Sequence, residues 1–219
     1  MTVRILDWRT SADYSRLTRA KNAGTAKALF RGFGPDAVVM REPSDIVGVT
    51  WHQTGCIFGV GAQALKRFNG DRQAARDDRA RNIPAHATVF ADGTVVMPFA
   101  LRSYLYHANA LNASTLGIEI ERKGEATPMP DVQVEACRAA IAYLVEQARA
   151  EGITLTQAWG HRQSHGGKPG DPGPEIWRRV VIPACARHGL ARTIRAVPRS
   201  TPKGQDGSPI PYAWEVPTV

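Results

Sequence analysis

Between Leu116 and Ala148 the hydrophobic period of this chain changes from two to about 3.6, and that switch restricts its fold more than any other feature. Leu116 to Glu121 (LGIEIE) alternates apolar and acidic residues, so Ile118 and Ile120 face one way and Glu119 and Glu121 the other. That is a strand presenting carboxylates. From Pro130 onward Val134, Cys137, Ile141, Leu144, Val145 and Ala148 form one helical stripe, with Asp131 as the expected N-cap and Gly152 as the stop. A strand and an amphipathic helix in such close succession imply strands and helices mixed within one domain.

The flanking segments extend this pattern. Asp45 to Trp51 (DIVGVTW) reads as a buried strand leading into His52, and Ala62 to Asn82 has helix-forming composition broken at Gly70. Ala85 to Phe90 and Thr94 to Phe99 flank Ala91-Asp92-Gly93, where Asp-Gly suits the positive φ of a tight hairpin. Ile153 to Trp159 returns as a strand delivering His161, and Pro174 to His188 reads as a second helix opened by a proline. Arg192 to Val219 is rich in proline and lacks a period, which predicts an extended tail packed on the domain or a flexible end.

Composition narrows the function classes. The 219 residues are 43% hydrophobic and 22% charged, enough for one good core. No stretch reaches the roughly 20 apolar residues of a membrane span, and the N-terminus (MTVRILDWRTSADYSR) is polar where a signal peptide is apolar. A soluble protein without a Sec-type export signal is therefore expected. Cys56, Cys137 and Cys185 are far apart and lack CxxC spacing, which favours buried thiols over disulfides or a zinc knuckle. A net charge of +8 points to an anionic partner, whether nucleic acid, membrane surface or cell wall. The densest basic stretch, Arg72 to Arg81 (RQAARDDRAR), is interrupted by Asp77 and Asp78 and reads as a solvated helix face. With no phosphate loop, zinc-finger spacing or RNA-binding strand motif, nucleic acid is not the expected partner.

One segment carries chemistry. Trp159 to Trp177 (WGHRQSHGGKPGDPGPEIW) sets His161 and Asp171 around a Gly/Pro-rich loop, and His52 lies upstream at a strand end. Two His and one Asp are good zinc ligands. Three protein ligands leave the fourth position for water, whose pKa then falls from ~15.7 to about 7, which suits hydrolysis near neutral pH.

The ordered set WHQTG, AHATVFADG, YHANALNASTLGIEIE and GHRQSHGGKPGDPGP resembles the zinc-dependent N-acetylmuramoyl-L-alanine amidases of the type 2 amidase and peptidoglycan recognition protein superfamily, from Asp45 to Ala186. The resemblance implies an α/β domain with a central mixed β-sheet flanked by helices. It makes His52, His161 and Asp171 the Zn2+ ligands and Glu119 the residue acting on the metal-bound water. One carboxylate can take the proton from the water and return it to the departing amine. His107, Asn109 and Asn112 fall in the segment implied to bind substrate; the two asparagines could instead form turns, and His107 could orient a neighbour. His86 matches a family position that is not a ligand.

The chain also departs from the pattern. Relatives with an Asp ligand commonly carry lysine two residues before it, whereas this chain has Pro169 there and Lys168 three before Asp171. A bulged loop would still let Lys168 stabilise the oxyanion; His165 is the alternative. The family's frequent HH pair is reduced to His52-Gln53. Glu121 reads as an exposed strand-end carboxylate.

The implied organisation is an N-terminal extension packed on the domain (1–44), a catalytic domain (45–190) and a Pro-rich tail (191–219). The implied partner is peptidoglycan, bound by a monomer without membrane insertion. The basic charge favours a lytic, phage or prophage endolysin type of enzyme, made in the bacterial cytoplasm and reaching the wall by holin- or virion-type delivery. A non-catalytic peptidoglycan-binding module and a cytoplasmic muropeptide-recycling amidase are the alternatives.

Overall fold

Alternation along the strands sorts their side chains onto two unlike faces of one sheet. A computed structural model describes residues 3–10, 40–59, 61–199 and 206–216. Its strands are β1 (Arg4–Asp7), β2 (Gly48–Gln53), β3 (Ala87–Val89), β4 (Thr94–Met97), β5 (Thr115–Ile120), β6 (Gln157–Gly160) and β7 (Ala191–Arg192). They lie in the order β1-β4-β3-β5-β2-β6-β7. β3, β5, β2, β6 and β7 are parallel, β4 is antiparallel to β3, and β1 is parallel to β4, so the sheet is mixed.

One face is apolar. Val49 and Trp51 of β2, Val95 and Met97 of β4, and Leu116, Ile118 and Ile120 of β5 are all fully buried in the main core. Each such aliphatic side chain contributes roughly 1.5–3 kcal/mol by leaving water. The cover comes from two helices. One spans Asp131–Ala150 and buries Val134, Cys137, Ala140, Ile141, Leu144 and Ala148. The other runs through Pro174–Ile176, a π-helical stretch Trp177–Val181, and Ile182–His188, burying Trp177, Val180 and Val181. On the opposite face the same alternation turns Thr50, His52, Thr88, Thr115 and Glu119 away from that core. Two smaller apolar clusters, Phe58, Ala80, Phe90 and Val96, and Ala108, Leu111 and Trp159, pack against this second face.

The helical segment Ala62 to Asn82 is broken at Gly70 as expected, into Ala62–Arg67 and Arg72–Arg81, with Gly70 at φ 84°. The hairpin forms around Gly93 at φ 86°. Several boundaries differ from the sequence expectation for local reasons. β2 begins at Gly48 because Pro43–Asp45 form a 3-10 turn. Pro130, not Asp131, occupies the N-cap of the long helix, and Asp131 instead pairs with Arg179 across to the last helix. That last helix is continuous in course but not in period: Pro183 has no N–H for the carbonyl four residues back, and the wider turn falls just before it.

β1 comes from the N-terminal extension; residues 11–39 of that extension lie outside the described residues. Of the tail, residues 206–216 pack on the domain. Ile210 is 2% exposed, and Glu215 accepts from Trp177 Nε1 at 2.6 Å and pairs with Arg192 at 2.9 Å. Among the described residues no helix is long and apolar enough to cross a membrane.

Candidate active site and metal centre

Three adjacent parallel strands, β5, β2 and β6, end side by side, and the candidate residues stand at those carboxyl ends. His52 is the penultimate residue of β2 and the register partner of Glu119 on β5. On the other side of β2, Trp51 pairs with Gly160, after which the chain enters the 3-10 turn His161–Gln163. The carboxyl ends of parallel strands are where open α/β sheets collect their ligands, because the loops diverge there. Asp171 is returned by the Gly/Pro loop, with its carbonyl accepting from Arg162 N at 2.6 Å.

His52, His161 and Asp171 each offer a ligand atom, and the three atoms lie within 4.8 Å of one another. His161 Nδ1 is 2.9 Å from Asp171 Oδ2, and the rings of His52 and His161 are 4.5 Å apart. Donor atoms of a tetrahedral zinc with bonds of ~2.0–2.1 Å stand about 3.3 Å apart, so this spacing is close to what the ion needs. The outer partners also fit. Asp171 Oδ1 accepts from Gln53 N at 2.7 Å, which leaves Oδ2 to face the group, and His52 Nε2 is 3.0 Å from His107 Nδ1. Two nitrogens and one oxygen suit zinc.

Burial dominates the electrostatics. His52 is 2% exposed, and burial, helped by His161 and His107, holds its pKa well below the ordinary value. Burial and then the Arg41 charge push His107 down to about 3, so its ring is neutral. Glu119 is raised well above the usual carboxyl range by burial and by the negative charge of Asp171, with Lys168 and Arg79 opposing. Lys168 itself is exposed in the loop between His161 and Asp171, and its charge is felt at both Glu119 and His52.

The remaining sequence candidates are placed as follows. His107 is buried against His52, with Nε2 3.3 Å from Thr115 O. Asn112 is buried, and its Oδ1 accepts from the main-chain N of His107 and of Ala108. Asn109 is exposed at φ 49° and donates to Ser164 O. His165 stacks edge-on to His161 at 5.6 Å and stands outside the three-ligand group. His86 is fully buried and accepts from Gly117 N at 3.0 Å. Glu121 is not the exposed carboxylate expected: it is 3% exposed and caps two loops by accepting from Phe58 N and Ala91 N.

Sequence reasoning missed Arg41. It is 4% exposed, and its guanidinium donates to the carbonyls of Thr115, Leu101 and Asn112 at 2.6, 2.7 and 3.1 Å, pinning the segment that carries His107. Burial lowers its pKa to about 10, with Tyr104 and Asp45 opposing. Gln53 was seen only as the missing half of a histidine pair, yet its main chain orients Asp171 and its side chain accepts from Gly173 N.

The fold and the donor set together define an α/β protein with a candidate three-ligand metal centre at the carboxyl ends of its parallel strands. The chain belongs to the Amidase_2 family, N-acetylmuramoyl-L-alanine amidase, which matches residues 42–174. No curated protein matches it in sequence. Among solved structures it is similar to the N-acetylmuramoyl-L-alanine amidase LysC from Clostridium intestinale URNW, at 16% identity and TM-score 0.48, covering 70% of this chain and 91% of that one. It is also similar to Drosophila PGRP-LB, at 17% identity and TM-score 0.48, covering 87% of this chain and 97% of that one. Drosophila peptidoglycan recognition protein SD is a third, at 18% identity and TM-score 0.48, with coverages of 90% and 100%.

Proposed function

We propose that this chain is a zinc-dependent peptidoglycan hydrolase that cleaves the amide between N-acetylmuramic acid and the L-alanine of the stem peptide. The observation that carries this reading is the convergence of His52, His161 and Asp171 within 4.8 Å, with Glu119 as the register partner of His52. A protein that only binds its target needs no acid-base carboxylate beside an open ligand set.

His52, His161 and Asp171 would hold the ion, which when bound supplies Lewis acidity toward the scissile carbonyl and activates water. Glu119 takes the proton of the attacking water and hands it to the alanine nitrogen as the C–N bond breaks. Lys168 donates to the carbonyl oxygen as negative charge develops there; losing such a donor typically costs roughly 100- to 1000-fold in turnover. Gln53 holds Asp171 in place through Oδ1.

The net charge of +8 supports a lytic role, because the wall polymer is anionic and a basic enzyme is drawn to it. We assign the protein to action on the wall as a monomer, after holin- or virion-type delivery.

The test is incubation of metal-quantified protein with sacculi and mass spectrometry of what is released. Stem peptides beginning with L-alanine, abolished by EDTA and restored by zinc, are expected. Protein that binds sacculi and releases nothing would make it a binding module or a recycling enzyme, to be separated on soluble muropeptides.

A further inference from the structure

Two buried histidines lie with ring nitrogens 3.0 Å apart, His52 Nε2 and His107 Nδ1, and two nitrogens at that distance must share one proton. Which ring owns it follows from the other side of His107. Its Nε2 is 3.3 Å from Thr115 O, and a carbonyl can only accept, so Nε2 carries the hydrogen of the neutral ring. His107 Nδ1 is then a bare acceptor, and the shared proton sits on His52 Nε2.

We propose that His107 is a positioning residue whose Nδ1 accepts the Nε2–H of His52, fixing the tautomer in which His52 Nδ1 presents its lone pair to a metal ion. The inference rests on the metal-centre reading above and adds the residue that selects the ligand atom. A histidine ligand is set by the hydrogen bond of its other nitrogen, and the usual outer partner is a carboxylate, carbonyl or water. Here a second histidine does this, and it can accept only because its own far nitrogen is spent on the carbonyl.

The surroundings are built to hold that ring. The main-chain N of His107 donates to Asn112 Oδ1 at 2.9 Å. On the strand beneath, a Cβ at Gly117 would stand 2.9 Å from His107 Nδ1 and 3.0 Å from its Cγ, so only glycine lets the ring lie over β5 at this height. Gly117 is fixed in turn, its N–H donating to His86 Nδ1 at 3.0 Å. With His52 2% and His107 8% exposed, little water can replace either partner.

Two measurements on the full chain test the proposal. In metal-free wild type, long-range 1H–15N NMR should show His52 protonated at Nε2 and His107 also at Nε2; a proton on His52 Nδ1 would overturn it. In chelator competition, His107→Phe should bind zinc roughly 10- to 100-fold more weakly, whereas His107→Asn, whose Oδ1 can take the place of Nδ1, should stay within about threefold of wild type. Gly117→Ala should reproduce the loss without removing any polar atom of His107. A His107→Phe protein that binds zinc like wild type would overturn the proposal. Wild type that binds no zinc would instead bring down the metal-centre reading and this inference with it, and the two failures are told apart by which protein shows them.

Discussion

His52 and Glu119 are register partners on neighbouring parallel strands, so the backbone ladder, and not a loop, sets the distance between a proposed metal ligand and the proposed acid-base group. Groups mounted on strands hold catalytic geometry better than groups on loops. The two residues should nonetheless fail differently. His161→Ala is expected to lose zinc and activity together, since it removes a ligand from a set of three. Glu119→Gln should keep its zinc content and lose roughly 100- to 10,000-fold in turnover. Metal analysis beside peptide release checks both, and a fully active Glu119→Gln would remove Glu119 from its role.

Lys168 occupies the loop between two of the proposed ligands without belonging to the metal group. Lys168→Met should therefore retain zinc and lower kcat by roughly 100- to 1000-fold with little change in KM, the pattern of a donor used only as the oxyanion develops. His165→Ala should cost much less. The reverse ranking would transfer the oxyanion role to His165.

What could be read from the sequence depended on how local the determining pattern was. Ile118, Glu119 and Ile120 alternate within one short run, so strand and facing were both legible before the structure. The ligand candidates stood out because His161 and Asp171 share one Gly/Pro loop. β1 and β7, four and two residues long, are too short to display a period. Glu121 looked like a strand-end surface charge because its two donors, Phe58 N and Ala91 N, come from distant loops. Asn112 was legible as a turn residue or a substrate contact, and the acceptance by its oxygen of the main-chain N–H groups of His107 and Ala108 shows only in the fold.

Arg41 escaped for the same reason, as nothing in the sequence separates a buried arginine from a solvated one. Its removal should be costly. Arg41→Met strips charged donors from the carbonyls of Leu101, Asn112 and Thr115; Thr115 O keeps His107 Nε2, and each buried acceptor left alone costs about 1–3 kcal/mol. Urea unfolding should show a loss of about 3 kcal/mol or more. Zinc affinity should fall with it, because the same carbonyls anchor the segment carrying His107. A variant as stable as wild type would mean that water or a shifted loop satisfies those groups.

Acid stability should report on Glu175. Burial alone would raise its pKa, but Arg179, the main-chain N of Met129 and Arg122 outweigh burial and hold it below its ordinary 4.5. Arg122 is 5% exposed and pairs with this carboxylate at 2.5 Å and with Glu125 at 3.4 Å. A carboxyl whose folded pKa is depressed stabilises the protein above its unfolded pKa, and that contribution disappears as pH falls through the folded value. Glu175→Gln should therefore melt at a lower Tm than wild type at pH 7. The gap should shrink once the pH drops below 4.5, since protonation turns the wild-type side chain into a neutral near-isostere of glutamine. Calorimetry of both proteins from pH 7 to 3 tests this, and a Tm difference that stayed constant across that range would show that Glu175 contributes packing and not charge.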